Sequence, residues 1–574
     1  WRMTVIATAG HVDHGKSSLV QSLTGTDPDR LEEEKRRGLT IDLGFAHMVL
    51  PSGAELSFID VPGHVKFLRN MLAGVGGVTA CVFVVAATEG WKPQSEEHLR
   101  ILELLGIENG IIALTKVDLV DDEWLGLAEL EVAEHCAGTF LDGAPMLPIS
   151  STTGAGMDEM RAALDELIAR SAESADCKRP RLWLDRVFAA KGSGTVGTGT
   201  LVGGTLRNDQ LVSIEPGGHS ARVRTIQTAG RTVDEIGAGH RVAVNLAGVD
   251  HNDLKRGDAV IEPGRWRLTG RFDASLRVLD ALDHDVSRRG AYVAYIGSGE
   301  YAVKLRVLGV EELSPGSTGA VRLFLPAAVP LLPGDRFVLR ESGRDETIGG
   351  GEVLDIDPVL RASRAAPDRS IDRLVSERGW LTIDEIEQLT GEVVDPVIGE
   401  WVTSPESLAE LTETVIARVE GAGPAGVDLA AFDDRERAVL STLDEVVVTA
   451  GLVQPADGID PYEDHPVLAE LLDGGFMPPP LVDVDRSDLR ELVRRGYVVQ
   501  RDGIGFHRDA IEAAGYVAAE LLAEHADGFT VAQFRDATGA SRKYVLPLVA
   551  ELDARGVTRR REDVRIGGPR LPPV

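Results

Sequence analysis

The stretch GHVDHGKS, residues 10–17, decides the fold of the first part of the chain. It follows the apolar run TVIATA and precedes a short helical pattern, which predicts a strand, a glycine-rich loop and a helix. Such a loop points backbone N–H groups at phosphate oxygens, and the helix adds its positive end. We expect Lys16 to reach the terminal phosphates and the Ser17 hydroxyl to bind Mg²⁺. The residues predicted to contact the nucleotide here are Gly10, His11, Val12, Asp13, His14, Gly15, Lys16, Ser17 and Ser18.

Further motifs stand at the ends of predicted strands. Asp60 and Gly63 close the strand AELSFID, where the aspartate is expected to hold Mg²⁺ through water and the glycine to sense the γ-phosphate. Thr40, in RRGLTID, is a candidate second hydroxyl on the metal. The predicted metal site therefore consists of Ser17, Thr40 and Asp60.

A third motif addresses the base of the nucleotide. The sequence GIIALTKVD ends in Thr115, Lys116 and Asp118, and the aspartate can accept both donors of the guanine edge, which adenine does not offer. Ser150, after PMLPI, is placed to support base recognition. Ordered motifs on separate strand ends predict a GTPase that binds GTP or GDP with Mg²⁺.

The segments GHVDHGKS, RGLTIDLGF and DVPGH resemble those of the translational GTPases. The resemblance implies that His64 positions the attacking water and is activated on the ribosome. It also implies that Val12 and Leu39 form an apolar gate that holds His64 away until then. One departure is Thr115, because the base-recognition motif of this superfamily usually begins with asparagine. We expect guanine specificity to survive through Asp118, with a change in nucleotide affinity.

From Arg181 to about Pro358, short β-rich runs alternate with Gly, Pro and Asp turns, which predicts two antiparallel barrels. LWLDRVFAAKGSGTVGTGT and GHRVAVNLAG resemble the selenocysteine-specific elongation factor family (SelB). By that resemblance, Asp185, Arg186 and Arg241 line the pocket for the aminoacyl group. A selenol is more acidic than a thiol, whose reference pKa is about 8.5, so guanidinium groups can hold it as an anion.

The last third returns to helical periodicity. In the tail TVAQFRDATGASRKYVLPLVAELDARGVTRRREDVRIGG, Thr530 and Ser541 are predicted helix N-caps and Gly556 a helix stop. VTRRR and VRI are expected to pair across Glu562 and Asp563 as a wing. Weaker repeats upstream predict about four winged-helix modules.

A local reversal of charge marks this tail. Residues 541–574 hold eight Lys or Arg against four Asp or Glu, a net of +4 within a protein of net charge −31. Because the overall charge repels nucleic acid, RNA contact requires such a patch. The predicted contacts to an mRNA hairpin, by the resemblance, are Arg542, Lys543, Arg559, Arg560, Arg561 and Arg565.

The composition fits a soluble globular protein, with 43% apolar and 26% charged residues among 574. The sequence shows neither an 18-residue apolar run nor a signal-peptide pattern, and its three cysteines are scattered, so we expect no membrane association and a cytoplasmic location. The expected domains are an α/β P-loop GTPase domain (1–175), two antiparallel β-barrels (181–264 and 267–358) and tandem winged-helix modules (366–574, the last 510–574).

The resemblance therefore implies a monomeric GTP-dependent carrier of selenocysteyl-tRNA that acts on the ribosome at in-frame UGA codons, guided by an mRNA hairpin. A general aminoacyl- or initiator-tRNA carrier is an alternative, against which the carboxyl-terminal modules and paired arginines count. A GTPase subunit of a sulfate-activating enzyme and a GTP-responsive DNA-binding regulator are further alternatives. The basic tail argues against the first of these, and His64 in its ribosome-activated context against the second.

Overall fold

A mostly parallel six-stranded sheet forms the amino-terminal part of the computed structural model, which describes residues 3–29, 34, 36, 40–64, 67–75, 77–170, 176–190, 192, 194–456, 460, 462–482 and 484–573. The strand order is β2-β3-β1-β4-β5-β6, and only the edge strand β2 runs antiparallel to its neighbour. The elements are β1 (Met3–Ala9), α1 (Lys16–Thr24), β2 (Gly44–Val49), β3 (Glu55–Asp60), α2 (Leu68–Val75), β4 (Ala80–Ala86), α3 (Pro93–Leu104), β5 (Asn109–Thr115), α4 (Asp122–Cys136), β6 (Met146–Pro148) and α5 (Met157–Arg170).

Helices cover both faces of this sheet. The central strand β4, ACVFVVA, is buried along its whole length, as expected for a parallel strand packed on both sides. Helices α1 and α5 contribute to one apolar cluster with the sheet, and α2, α3 and α4 contribute to a second. The carboxyl ends of β1, β3, β5 and β6 therefore meet at one edge, where a nucleotide is bound in folds of this kind.

Two antiparallel barrels follow. The first closes through β11-β16-β7-β9-β15-β12, with β11 paired to β12, and the second through β17-β22-β20-β19-β23-β24. The first barrel region contains β7 (Arg181–Trp183), β8 (Arg186–Ala190), β9 (Gly194–Val202), β10 (Leu206–Arg207), β11 (Leu211–Glu215), β12 (His219–Thr228), β13 (Arg231–Val233), β14 (Glu235–Ile236), β15 (Arg241–Ala247) and β16 (Ala259–Ile261). The second contains β17 (Leu268–Val278), β18 (Val286–Ser287), β19 (Tyr292–Ile296), β20 (Gly299–Val307), β21 (Glu312–Leu313), β22 (Thr318–Pro330), β23 (Arg336–Glu341) and β24 (Glu346–Asp355).

The chain divides into two compact units, Trp1–Pro396 and Val397–Val574. The first unit ends with α6 (Ile371–Arg378), β25 (Trp380–Thr382) and α7 (Ile383–Thr390). The second contains β26 (Trp401–Thr403), α8 (Pro405–Ala422), β27 (Val427–Asp428), α9 (Asp434–Leu440), β28 (Val446–Thr449), β29 (Leu452–Pro455), α10 (Pro466–Gly474), α11 (Arg486–Arg494), β30 (Val498–Arg501), β31 (Ile504–His507), α12 (Arg508–Glu524), β32 (Phe529–Thr530), α13 (Val531–Thr538), α14 (Arg542–Ala554), β33 (Thr558–Arg561) and β34 (Val564–Gly567).

The tail follows the local signals in its sequence. Thr530 caps α13 in a reciprocal capping box with Gln533, and Gly539 ends the helix in the left-handed region. Ser541 stands at the N-cap of α14, although its side chain makes no capping hydrogen bond. Strands β33 and β34 pair across a tight turn in which Glu562 has a φ of 55°. The predicted helix–turn–helix with a wing is therefore confirmed.

The predicted fold class is also confirmed, with a P-loop α/β domain, two six-stranded antiparallel barrels and a carboxyl-terminal winged helix. The number of winged-helix modules and the domain limits stay predictions. Among the described residues, no helix has both the length and the apolarity needed to cross a membrane.

Candidate functional site

The loop between β1 and α1 has the backbone geometry of a phosphate cradle. Gly10 adopts a φ of 126°, and a Cβ there would lie 2.1 Å from the carbonyl oxygen of Val84, so only glycine fits. The side chain of Lys16 is buried, and its Nζ donates to the carbonyls of Gly10 (3.1 Å) and His11 (2.7 Å). Burial lowers the pKa of Lys16 to about 8, so most of the population stays protonated at neutral pH.

Gly63 lies directly against this loop. A Cβ at Gly63 would stand 2.5 Å from Lys16 Nζ and 2.7 Å from the backbone nitrogen of Val12. The cleft beside it is lined by the loop and by Asp27, Glu34 and Thr40. Gly63 therefore lies at the cleft beside the loop, where the sequence predicts that it senses the γ-phosphate.

The predicted metal ligands meet at the start of α1. Ser17 Oγ donates to Asp60 Oδ2 (2.7 Å) and lies 2.9 Å from Thr40 Oγ1. Burial raises the pKa of the Asp60 carboxyl, which also accepts a hydrogen bond from Thr8 Oγ1 at 2.6 Å. Carboxylate and hydroxyl oxygens are hard ligands, so this set fits Mg²⁺.

Asp29 is an additional member of this cluster that the sequence analysis missed. Its Oδ1 accepts a hydrogen bond from Thr40 Oγ1 at 2.9 Å, and burial raises its pKa to about 6. The aspartate precedes Thr40 by eleven residues, and no spacing rule indicated the contact.

The residues predicted to recognise the base lie together after β5 and β6. Thr115 Oγ1 donates to the backbone carbonyl of His14 at 2.6 Å, which ties the base motif to the phosphate loop. Lys116 has a φ of 59° and its Nζ lies 3.0 Å from a carboxylate oxygen of Glu89. Asp118 is exposed, and buried Ser150 accepts a hydrogen bond at Oγ from the backbone N–H of a neighbouring turn.

Two buried histidines support the loop. His14 is fully buried with its ring centroid 5.0 Å from that of His11, and desolvation lowers its pKa to about 3. His98, on α3, was not foreseen. Its Nδ1 accepts the backbone N–H of Gly10 at 3.1 Å, and desolvation lowers its pKa to about 3 as well. Both rings are therefore neutral at physiological pH, and His98 is an acceptor at Nδ1.

His64 follows Gly63 and is half-buried, with its ring centroid 6.0 Å from that of Phe67. Its backbone carbonyl accepts the N–H of Phe67 at 2.8 Å, at the start of α2. Val12, the first member of the predicted gate, is half-buried on the phosphate loop. The second member, Leu39, lies outside the described residues, and the gate stays a prediction.

The three residues assigned to the aminoacyl pocket come together on the first barrel. Arg241 donates through Nη1 to Asp185 Oδ2 (2.6 Å) and through Nη2 to Asp185 Oδ1 (3.0 Å). The Arg241 guanidinium lies 3.4 Å from the ring centroid of Phe45, and that of Arg186 lies 4.6 Å from the same centroid. One aromatic ring of β2 therefore contacts both arginines of the barrel.

The same group continues into the segment after Thr40. Arg186 Nη2 lies 3.2 Å from Asp42 Oδ2 and also donates to the backbone carbonyl of Leu43. A further arginine, Arg256, was not foreseen: its Nε donates to the carbonyl of Asp185 at 3.1 Å. The residues assigned to the pocket and the segment of the GTPase domain that carries Thr40, a predicted metal ligand, are therefore in direct contact.

The predicted RNA contacts differ in exposure. Arg542 and Lys543 are exposed at the start of α14, and so are residues 559–561 of β33. Arg565 is different, with only 9% of its surface exposed and its Nε 3.1 Å from Asp553 Oδ2. Its guanidinium group is held against the body of the module by Asp553, which lies on α14. The structure places Arg565 in an ion pair within the module, and its assignment as a hairpin contact stays a prediction.

Family comparisons cover all three parts of the chain. Residues 2–170 match the family described as the elongation factor Tu GTP binding domain. Residues 284–359 match the beta-barrel domain of the selenocysteine-specific elongation factor, and residues 520–566 match the winged helix of elongation factor SelB.

Individual relatives extend the similarity over most of the chain. The selenocysteine-specific elongation factor of Desulfomicrobium baculatum is 35% identical over 506 residues, covering 88% of this chain and 75% of the relative. That of Haemophilus influenzae is 33% identical over 438 residues, with coverages of 72% and 69%. A crystal structure of a bacterial selenocysteine-specific elongation factor, EF-Sec, superposes with a TM-score of 0.73 at 26% identity, covering 99% of this chain and 100% of that one. With the nucleotide motifs and barrel arginines in place, these similarities show that the chain belongs to the bacterial selenocysteine-specific elongation factors and is a translational GTPase.

Proposed function

We propose that this protein carries selenocysteyl-tRNA to the ribosome in a GTP-dependent manner and delivers it at in-frame UGA codons. In this proposal an mRNA hairpin bound by the last winged helix selects the codon, and the protein acts as a monomer in the cytoplasm. Family membership supports the carrier role, and the relatives are selenocysteine-specific elongation factors, which supports selenocysteine as the cargo.

The observation that carries the proposal is the charged pocket on the first barrel. Three guanidinium groups, those of Arg186, Arg241 and Arg256, meet two carboxylates, those of Asp42 and Asp185, so three positive charges minus two negative charges leave one in excess. A selenol with a pKa below that of a thiol is an anion at neutral pH and complements this excess. The neutral hydroxyl of serine gains less from the same surroundings.

GTP hydrolysis follows from the residues around the phosphate loop. Lys16 neutralises charge on the terminal phosphates, and His64 positions the attacking water for in-line displacement once the ribosome activates it. Ser17, Thr40 and Asp60, with Asp29 beside them, would hold Mg²⁺, which supplies further charge neutralisation when bound. Loss of the γ-phosphate would release the segments of Thr40 and Gly63 and with them the cargo.

The exposed wing and helix of the last module supply the proposed RNA contacts. Arg559, Arg560 and Arg561 stand in a row on β33 with exposed side chains, which suits the phosphates of an RNA backbone. Holding the hairpin and the tRNA on one chain raises the local concentration of the carrier at the recoded codon.

The decisive experiment measures dissociation of tRNA from the GTP-bound protein, using selenocysteyl- and seryl-forms of the same tRNA. We expect slower dissociation of the seleno form, and loss of that difference in Arg241→Ala. Arg224→Ala removes an exposed arginine of the same barrel and serves as the control. Equal rates in the unmodified protein would instead support a general tRNA carrier.

A further inference from the structure

Arg256 contacts three separate parts of the protein through one guanidinium group. Its Nε donates to the carbonyl of Asp185 (3.1 Å), its Nη1 to Asn70 Oδ1 (2.8 Å), and its Nη2 lies 3.4 Å from Asp42 Oδ1. Asp185 belongs to the pocket on the barrel, Asn70 to α2 after His64, and Asp42 to the segment after Thr40. A planar guanidinium can donate in several directions at once, which an ammonium group on a flexible stem cannot do with the same geometry.

The two partners of Arg256 in the GTPase domain are Asp42, which lies in the segment after Thr40, and Asn70, which is hydrogen-bonded to that segment. Asn70 Nδ2 donates to the carbonyl of Ile41 at 2.7 Å. The backbone N–H groups of Ile41 and Asp42 both donate to Glu34 Oε1, each at 3.0 Å. The backbone of residues 41 and 42 is therefore held in place by two side chains, those of Glu34 and Asn70.

Asp42 is shared between two arginines of the barrel. Its Oδ2 lies 3.2 Å from Arg186 Nη2, and its Oδ1 faces Arg256. Asp42 follows Thr40 by two residues, so its carboxylate belongs to the same segment as this predicted metal ligand. If Asp42 moved away, Asp185 would be the one carboxylate of these two that still faces the three guanidinium groups. The positive charges of the arginines would then repel one another more strongly.

We propose that Arg256 is a positioning residue that makes the aminoacyl pocket depend on the nucleotide state. It orients the backbone at Asp185 and shares Asp42 with Arg186 as long as the segment after Thr40 and helix α2 hold their places. Release of either segment removes a partner of Arg256 and disperses the arginines of the pocket. This inference rests on the proposed function, because it assigns to the same pocket the means by which GTP controls cargo binding.

The test compares the affinity of selenocysteyl-tRNA for the full-length protein bound to a non-hydrolysable GTP analogue and to GDP. Arg256→Met keeps most of the apolar stem and removes the charged fork. We expect the ratio of the two affinities to fall by about tenfold, within the usual range of coupling between sites. Arg224→Met, at an exposed arginine of the same barrel, should keep the ratio of the unmodified protein.

A double-variant cycle separates a relay from general loosening of the domain contact. Asp42→Asn should lower the ratio as Arg256→Met does, and the double variant should lose no more than either single variant, because both act through one contact network. Additive losses, or an unchanged ratio in Arg256→Met, would overturn the inference. Binding of the GTP analogue and thermal unfolding report whether each variant folds, and Asn70→Ala replaces Arg256→Met if the latter does not.

The unmodified protein distinguishes failure of this inference from failure of the proposed function. If it binds selenocysteyl- and seryl-tRNA equally in the GTP state, the cargo assignment of the pocket is lost. If it prefers the seleno form and Arg256→Met retains the dependence on GTP, the cargo assignment stands and only the role of Arg256 is refuted.

Discussion

Thr115 joins the base-recognition motif to the phosphate loop through a single buried hydrogen bond. Its hydroxyl donates to the carbonyl of His14 at 2.6 Å. Replacing it by the isosteric Thr115→Val leaves that carbonyl without its donor, which costs about 1–3 kcal/mol at a buried position. We expect GDP affinity to fall by about tenfold in equilibrium titrations. Thr115→Ser keeps the hydroxyl and should bind nearly as the unmodified protein does; equal weakening in both variants would contradict this explanation.

His98 makes the stability of the GTPase domain depend on pH. Its pKa in the folded protein is about 3, below the ordinary value of 6.5, so between these values the unfolded chain binds a proton that the folded chain does not. The contribution of His98 to the free energy of unfolding is therefore fully present above pH 6.5. It falls by about 1.4 kcal/mol per pH unit as the pH drops from 6.5 toward 3.

Urea unfolding at pH 5 and pH 7.5 tests this dependence. His98→Gln keeps an acceptor for the Gly10 N–H but cannot titrate. The urea concentration at which its GTPase domain unfolds should therefore change less with pH. The exposed His135→Gln should change as the unmodified protein does. Parallel profiles for all three proteins would show that His98 is not the group responsible.

His64 is expected to act in hydrolysis and not in binding. Its half-buried ring stands one residue beyond Gly63, which contacts the phosphate loop. His64→Ala should bind GTP as before and lose about 10²- to 10⁴-fold in the single-turnover rate on ribosomes, the usual contribution of a side chain that handles the proton of a nucleophile. His251→Ala, in the first barrel, is the matched control. If His64→Ala hydrolyses GTP on ribosomes as fast as the unmodified protein, His64 has no role in hydrolysis.

At the scale of the element, we expect one arginine of the wing to contribute to RNA binding and another to contribute to the stability of the module. Arg560 is exposed on β33, whereas Arg565 on β34 is paired with Asp553 inside the module. We expect Arg560→Ala to weaken hairpin binding and to lower the slope of log affinity against log salt concentration by about 1, with tRNA binding unaffected. Arg565→Ala should instead lower the melting temperature of the module. If Arg560→Ala lowered the melting temperature and Arg565→Ala weakened hairpin binding, exposure would not explain the roles of the two arginines.

This wing also shows how far sequence patterns reach. The turn at Glu562 and the pairing of β33 with β34 were predictable because turn chemistry and strand length are local properties. Which arginines face outward was not, because the side of a short strand that meets the core depends on helices packed against it. Asp553 on α14, twelve residues before Arg565, decides that point.

At the scale of the whole molecule, the division into two compact units predicts separate responses to ligands. The nucleotide motifs lie in Trp1–Pro396 and the exposed arginines of the wing in Val397–Val574. A ligand stabilises the unit that binds it, by about 2.7 kcal/mol at one hundred times its Kd. Calorimetry should therefore show one transition raised by GDP and another raised by hairpin RNA. A single transition raised by both ligands would contradict this expectation.

The same scale limits what the sequence could reveal about the site. The phosphate loop, the predicted metal ligands and the predicted base motif are short motifs whose chemistry is local, so the sequence alone was enough to propose them. His98 reaches Gly10 across 88 residues, and Arg256 reaches Asn70 across 186. Such contacts exist only once the sheet, helices and barrel are assembled, so neither residue carries a local signature. Arg186 and Arg241 were found only because of a family resemblance.

The ring of Phe45 has a consequence for protein engineering. It belongs to strand β2 of the nucleotide domain, yet both arginines assigned to the proposed aminoacyl pocket pack against it. Transplanting this barrel alone into another tRNA carrier would move the arginines but leave behind Phe45 and Asp42, which contact them from the nucleotide domain. Under the proposed function, amino-acid preference is therefore not carried by the barrel alone, and a successful chimera would have to exchange residues 42–49 together with the barrel.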